Sequence, residues 1–202
     1  MRMMKTTYLT RFVAVVAMLS SVTACNDFLF NGDTVTEYCN YKARLVLYSN
    51  VITQLQPLND ALKNDNTFAM VSMPDNTAAT YQLKAQLYGQ GAAQITVALE
   101  GAPLPMLGLD NGRGFIIGRS AWRSDNPYVF DRVCPNCYKE HRDTKYVLNF
   151  TNNKDEVKCG TCKRTYSLIN GGLVTAGENG DKLFRYRVTA YNPSTPSITV
   201  YQ

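Results

Sequence analysis

The chain has 202 residues and a formal net charge of +5. Three of the positive charges (Arg2, Lys5 and Arg11) lie in the first 24 residues, so residues 25–202 carry a net charge of only about +2. This remainder has no basic stripe of the kind that binds nucleic acid, so a nucleic-acid partner is not expected. It also has no internal repeat or low-complexity tract, and it is long enough for one large or two small domains.

The N-terminal segment has the pattern of an export signal. Its basic start contains no acidic residue and is followed by an apolar run at residues 12–19. That run is far shorter than the roughly 20 residues that a membrane-spanning helix needs. Residues 1–24 are therefore predicted to be a signal peptide that the mature protein lacks.

The end of this segment, Val22-Thr23-Ala24-Cys25, resembles a bacterial lipobox. The resemblance implies cleavage before Cys25 and acylation of that residue, with residues 25–40 as lipid anchor and tether. Several acyl chains hold a protein stably at a membrane that it does not cross. The expected location is the bacterial cell envelope, facing the periplasm or the cell exterior. The alternative is an ordinary signal peptide that ends near a cysteine.

The remaining sequence favours β structure. Its 13 tyrosines, frequent Thr and Val, and regularly recurring turn residues are typical of strands joined by short turns. Leu55, Leu58 and Leu62 have helical spacing, and Pro57 suits a first turn, so a helix is predicted at about 57–63. Strands are predicted at 41–48, 68–73, 80–87, 94–99, 114–119, 128–133 and 183–191.

Two C-x-x-C pairs are the most informative feature of the chain. Cys134 and Cys137 form the first pair, Cys159 and Cys162 form the second, and twenty-one residues separate the pairs. Two residues between cysteines allow both sulfurs of a tight turn to point at one ion, and a second pair completes a tetrahedral shell. The four cysteines are therefore predicted to be the ligands of one metal ion.

The other conspicuous side chains are predicted to have structural roles. Cys39 is expected to be a small buried hydrophobe, since an unpaired cysteine beside two C-x-x-C pairs fits a disulfide framework poorly. His141, the only histidine, lies in a charged stretch and is expected to be solvated. Trp122 is expected to anchor the metal-binding subdomain. No catalytic constellation is present, which favours a non-catalytic protein.

Residues 112–200 resemble the Rieske iron–sulfur domain family. The resemblance rests on five segments: 128–135 (the strand into the first cluster loop), 159–160 (the start of the second loop), 166–168 (an aromatic strand), 170–172 (a turn) and 183–188 (the closing strand). It implies an all-β fold over 41–202, an antiparallel β sandwich or barrel. A small metal-binding subdomain with zinc-ribbon-like loops is expected at about 134–166.

The chain departs from the family at the ligand positions. The first loop of the family is C-x-H, and Asn136 stands at that histidine position, followed by Cys137. The second loop is C-x-x-H, and Cys162 stands at its histidine position. His141 matches neither position. A Rieske centre needs two imidazoles on one iron, so the resemblance carries over the fold and not the histidine ligation.

A shell of four thiolates is typical of a structural Zn²⁺ site. Backbone amides in the C-x-x-C turns, together with Lys158, Lys163 and Arg164, are expected to offset its negative charge. Mononuclear iron, an all-cysteine [2Fe–2S] centre, and metal-free redox dithiols or disulfides are the alternatives. The sequence thus predicts an envelope lipoprotein with a structural metal site. The alternatives are an electron-transfer protein and, more distantly, a thiol–disulfide oxidoreductase.

Overall fold

The computed structural model describes residues 38–202, apart from the side chains of residues 123–125. The predicted signal peptide, Cys25 and the tether as far as residue 37 lie outside the described residues. Tyr38–Gln202 form one compact unit. In this part of the chain no helix has the length and apolar character needed to cross a bilayer.

The described residues form twelve strands and three short helices, and neighbouring strands pair antiparallel throughout. The expectation of a mainly β, antiparallel fold is confirmed. In chain order the elements are β1 (Arg44–Leu47), α1 (Ser49–Ile52), α2 (Gln56–Lys63), β2 (Thr67–Ser72), β3 (Thr80–Leu87), β4 (Ala93–Ala98), β5 (Phe115–Ser120), β6 (Arg123–Asp131), α3 (Pro135–His141), β7 (Leu148–Phe150), β8 (Glu156–Cys159), β9 (Thr165–Ser167), β10 (Leu173–Ala176), β11 (Val188–Asn192) and β12 (Ser197–Tyr201).

A five-stranded sheet in the order β4-β3-β2-β5-β6 separates two hydrophobic cores. Successive side chains of a strand point to opposite faces. Phe68 and Met70 of β2 therefore face the smaller core, whereas Ala69 and Val71 face the larger one. Burial on both faces explains why β2 and β5 are continuous apolar runs. By contrast, β3 alternates between buried and exposed residues over most of its length, because only one of its faces is covered.

The larger core lies between this sheet, the helices α1 and α2, and a three-stranded sheet in the order β1-β12-β11. Helix α2 packs on β2, β3 and β5 through the buried side chains of Leu58 and Leu62, as their spacing predicts. Strand β1 pairs with β12, so the first and last strands of the described chain are neighbours. Leu45 and Ile198 are among the buried residues that close this core.

The smaller core lies on the opposite face of the five-stranded sheet. A four-stranded sheet in the order β10-β9-β8-β7 covers it, together with residues from the start of α3. Phe130, Tyr166 and Leu183 are fully or almost fully buried there, beside three of the four clustered cysteines. The predicted metal-binding segment thus contributes to a packed core and is more than a pair of surface loops.

The predicted single strand at 183–191 is wrong. Only Val188–Asn192 form β11, which pairs with β12 in the three-stranded sheet. The preceding residues run along β6, where the Asp131 N–H donates to the Phe184 carbonyl at 2.8 Å. Leu183 lies in the smaller core and Tyr186 in the larger one. This segment passes from one core to the other, so its burial does not alternate as in a regular strand.

The predicted anchoring role of Trp122 is also wrong. Trp122 lies in the turn between β5 and β6, and 79% of its surface is exposed. The β5–β6 hairpin carries this turn into solvent, away from both cores. The sheet and the subdomain are held together instead by Phe130 and its neighbours in the smaller core.

Asp131 is a buried carboxylate at the end of β6, three residues before the first clustered cysteine. It accepts hydrogen bonds from the Leu109 N–H at 2.9 Å, the Val133 N–H at 2.8 Å and the Tyr186 hydroxyl at 2.7 Å. Burial raises the pKa of Asp131 to about 6, and these three donors limit the rise. The carboxylate fixes the point at which the chain leaves the sheet and enters the metal-binding subdomain.

The raised pKa of Asp131 predicts a specific dependence of stability on pH. Between about pH 4 and pH 6 the native protein binds more protons at this group than the unfolded chain does. The stabilisation from protonated Asp131 is complete below about pH 4 and is lost as the pH rises through about 6. Its size should be on the order of 3 kcal/mol. Asp131→Asn should lack this component.

The measurement is urea unfolding of both proteins at several values between pH 4 and pH 7. The cysteine cluster is the same in both, so the difference between the two curves isolates the carboxyl group. Parallel pH profiles for the wild type and Asp131→Asn would show that Asp131 titrates with an ordinary pKa.

Candidate metal centre

The first cysteine pair lies at a junction between a strand and a helix. Cys134 follows the end of β6 in extended conformation, and its N–H donates to the Tyr146 carbonyl at 2.8 Å. Pro135 begins α3, where its fixed φ suits the first helical turn. Cys137 lies in that turn, and its backbone N–H donates to the Cys134 sulfur. The first C-x-x-C is therefore on a helix, and not in a tight loop as its spacing predicts.

The second pair lies in the tight hairpin between β8 and β9. Cys159 ends β8, and its N–H donates to the Arg164 carbonyl at 3.0 Å across the turn. Lys163 has a positive φ of 62°, which reverses the chain just after Cys162. The amides of Thr161 and Cys162 donate to the Cys159 sulfur. The expected donation from backbone amides to sulfur is thus present in both C-x-x-C segments.

The four cysteine sulfurs converge on one point. All four Sγ atoms lie within 4.8 Å of one another. The Cys134–Cys162 separation is 3.6 Å, and the Cys137–Cys159 separation is 3.7 Å. A tetrahedral site with metal–sulfur bonds of about 2.3 Å has sulfur–sulfur edges of about 3.8 Å. The cluster therefore has the ligand number and spacing to hold a single metal ion.

The cluster is closed to solvent on most sides. Cys134, Cys137 and Cys159 are buried, and Cys162 is half-buried. Within residues 38–202 this is the one group of three or more Cys, His, Asp or Glu side chains close enough to share an ion. All four ligands are thiolates, so a tetrahedral ion would have no position left for a substrate or a water molecule.

Burial and the neighbouring sulfurs oppose the ionisation of Cys134 and Cys137 in the absence of a cation. A hydrogen bond shared with Cys159, together with burial, raises the pKa of Cys134, and the same bond lowers the pKa of Cys159. Burial and the neighbouring sulfurs also raise the pKa of Cys137 to about 12. Hydrogen bonds from Cys134 and Cys137 thus favour the thiolate form of Cys159. A bound divalent cation would supply the positive charge that allows all four to ionise.

A hydrogen-bond chain outside the cysteines orients a donor toward the cluster. The Asn136 side-chain amide donates to the Tyr166 hydroxyl at 2.9 Å. Because that amide nitrogen has no acceptor capacity, the Tyr166 hydroxyl is free to donate onward to the Cys134 sulfur, 3.4 Å away. Asn136 also exchanges two 3.0 Å hydrogen bonds with the backbone of Asp181. Asn136 therefore positions the Tyr166 hydroxyl, and the backbone of Asp181 holds Asn136 in place.

Arg164 supplies the nearest positive charge. Its guanidinium hydrogen-bonds to the Cys162 sulfur, which raises the pKa of Arg164. It also donates to the Glu178 carbonyl at 2.9 Å and to the Asn179 carbonyl at 3.1 Å. Of the three basic residues expected to offset the cluster charge, only Arg164 contacts a sulfur. Lys163 donates to the Gly160 carbonyl, and Lys158 points to solvent from β8.

The segment 178–181 therefore holds both cysteine pairs. It contacts Asn136 of the first pair and Arg164 beside the second. Gly180 lies so close that a Cβ there would collide with the Asn136 amide and would lie 2.9 Å from the Arg164 Nε. The sequence contains no signal for this contact, since Asp181 lies 45 residues from Asn136 and in no recognisable motif.

Cys39 and His141 lie apart from the cluster, as expected. Cys39 is half-buried against the larger core, and the side-chain amide of Gln202 lies 3.9 Å from its sulfur. His141 is the last residue of α3, and 40% of its side chain is exposed beside Glu140 and Tyr146. Neither residue has the surroundings of a metal ligand or a catalytic base.

Comparison with known proteins gave no match. No protein-family model, no curated protein and no solved structure is significantly similar to the chain. The function of the site must therefore be inferred from its own geometry and chemistry.

The shared site predicts the metal content of cysteine variants. Cys137→Ser and Cys162→Ser should each abolish stoichiometric metal binding, because three thiolates leave the ion with an open and weaker shell. Cys39→Ser should retain the full metal content. Elemental analysis of the three variants and the wild type measures this directly. Full retention of metal in Cys162→Ser would show that the two pairs do not form one site.

Proposed function

We propose that this protein is a lipid-anchored protein of the bacterial cell envelope, and that its Rieske-like β domain uses a four-cysteine zinc site as a structural cross-link. Its role is binding or structural, and not catalytic. The observation that carries the proposal is the convergence of four thiol sulfurs within 4.8 Å inside a hydrophobic core.

The size of the smaller core supports a structural role for the ion. The strands that cover it have only three or four residues each, so they contribute few apolar side chains. Small units of this kind need disulfides or a metal to supplement their hydrophobic core. An ion bound by Cys134 and Cys162 links segments that are 28 residues apart. Metal binding in small zinc domains contributes on the order of 10 kcal/mol to folding.

The compactness of the cluster favours a single ion over a [2Fe–2S] centre. In an all-cysteine [2Fe–2S] cluster two sulfurs bind each iron, and the distance between the irons separates the two pairs of sulfurs. Here no two of the four sulfurs lie more than 4.8 Å apart, so all four fit around one tetrahedral ion. Zinc fits four thiolates in a closed, buried shell without any requirement for redox chemistry.

The sequence supports the envelope location. A basic start, a short apolar run and the segment Val22-Thr23-Ala24-Cys25 occur together at the N-terminus. The compact unit begins at Tyr38. Thirteen residues therefore lie from Cys25 to the residue before that unit, enough chain to connect a lipid anchor to a folded domain.

The zinc proposal is tested by the metal content and colour of the full-length protein. Purified protein should contain one zinc per chain and be colourless above 300 nm, because zinc has a filled d shell. Removal of the ion by a chelator should make residues 134–176 sensitive to protease. The larger core should stay folded, because its strands and α2 pack independently of the cysteines.

If the protein is red or brown and bleaches reversibly with reductant, the bound metal is iron and the result supports electron transfer. If the purified protein contains no metal and its cysteines form disulfides, both the zinc and the iron assignments are wrong. Protease sensitivity spread evenly over residues 38–202 after metal removal would show that the ion stabilises the whole domain and not the subdomain alone.

Anchoring through Cys25 predicts the effect of an inhibitor of lipoprotein signal peptidase. Treated cells should accumulate the unprocessed precursor, because cleavage before Cys25 requires prior acylation of that cysteine. Cys25→Ser should also leave the precursor uncleaved, and that precursor should carry no lipid, because the acylated cysteine is missing. Immunoblots of fractionated cells measure both. Normal cleavage in both experiments would indicate an ordinary signal peptide.

A further inference from the structure

A groove of about 490 Å³ lies between the outer face of β1 and the edge strand β4, far from the cysteine cluster in the chain. Its apolar lining includes Val46 of β1, Ile95 and Val97 of β4, and Pro103 and Pro105 of the following loop. Ligand pockets of about 300–1,000 Å³ enclose most of a small organic molecule.

The face of β1 that lines the groove is unusual for a solvent-facing surface. Because side chains alternate along a strand, Arg44 and Val46 lie on one face, and Tyr48 continues that face beyond the strand end. Val46 is 41% exposed and Tyr48 is 67% exposed. Exposed apolar side chains that adjoin a concave surface are typical of a binding site.

Arg44 brings a positive charge into this groove, which Glu100 also lines. Its Nη2 donates to the Leu104 carbonyl at 2.8 Å, whereas its Nε is buried and has no hydrogen-bond acceptor. Among the described residues no carboxylate lies within 4.0 Å of the guanidinium. A partly buried cation without a counter-ion is costly, and an incoming anion would offset that cost.

We propose that this groove binds a small carboxylate with an apolar chain, with the carboxylate beside Arg44 and the chain along Val46, Ile95 and Val97. Glu100 also lines the groove, and its negative charge disfavours an anion at its own position. Arg44 is therefore the place for the acidic group. This binding is independent of the metal site and of the zinc proposal.

The probes are octanoate, its neutral analogue octanamide, and acetate, which has the charge without the apolar chain. Binding is measured by isothermal titration of the full-length protein in lipid nanodiscs, with empty nanodiscs as the blank. Octanoate should bind at least about tenfold more tightly than octanamide or acetate. A factor of ten corresponds to about 1.4 kcal/mol.

Three variants separate a binding role of Arg44 from its structural bond to Leu104. Arg44→Met should weaken octanoate binding about tenfold or more and leave octanamide unchanged. Val46→Asp, at an exposed position, should also weaken octanoate by placing a second negative charge in the groove. Lys42→Met removes an exposed positive charge that does not line the groove, and it should have no effect.

Equal affinity for octanoate and octanamide would overturn the proposal, because Arg44 would then not recognise charge. Unchanged octanoate binding in Arg44→Met would overturn it as well, and so would an equal loss in Lys42→Met. If Arg44→Met unfolds, which circular dichroism would show, Val46→Asp decides the question alone. No measurable octanoate binding to the wild type also contradicts the proposal.

Discussion

The burial of both faces of one sheet is the constraint on which the rest of this structure depends. Strands β2 and β5 present apolar side chains in both directions, so each face must be covered by a separate layer. The layer on one face contains α2 and the three-stranded sheet of β1, β12 and β11. The other is the cysteine subdomain, whose own strands are very short. The cysteine cluster is therefore packed against this sheet through Phe130 and its neighbours.

At the cysteine cluster the dominant interaction is the electrostatic repulsion between the sulfurs. Four sulfurs at van der Waals distance repel one another once ionised, and the pKa of Cys134 is raised while that of Cys159 is lowered. The Tyr166 hydroxyl, the amides of the C-x-x-C segments and Arg164 each direct positive charge at a sulfur. The cluster is thus prepared for a tetrahedral cation by donors that come from α3, the β8–β9 hairpin and β9.

The spacing of residues predicted the parts of the structure that depend on local pattern. The leucines at positions 55, 58 and 62 indicated α2, and the alternation at 80–87 indicated β3. The paired cysteines indicated one cluster. Strands β7 to β10 were not predicted, because three or four residues each are too few to show a period. Helix α3 was not predicted either, because its sequence overlaps the first C-x-x-C motif. The contact between Asn136 and Asp181 depends on tertiary folding alone.

The position of β12 at the centre of the three-stranded sheet has a consequence for biosynthesis. Residues 197–201 pair with β1 on one side and β11 on the other, so the larger core stays open until these residues have been synthesised. Pairing over such a long sequence separation is intrinsically slow. During that delay the apolar faces of β1 and β11 are exposed. A chain that lacks residues 197–201 would therefore keep its larger core open and be sensitive to proteases.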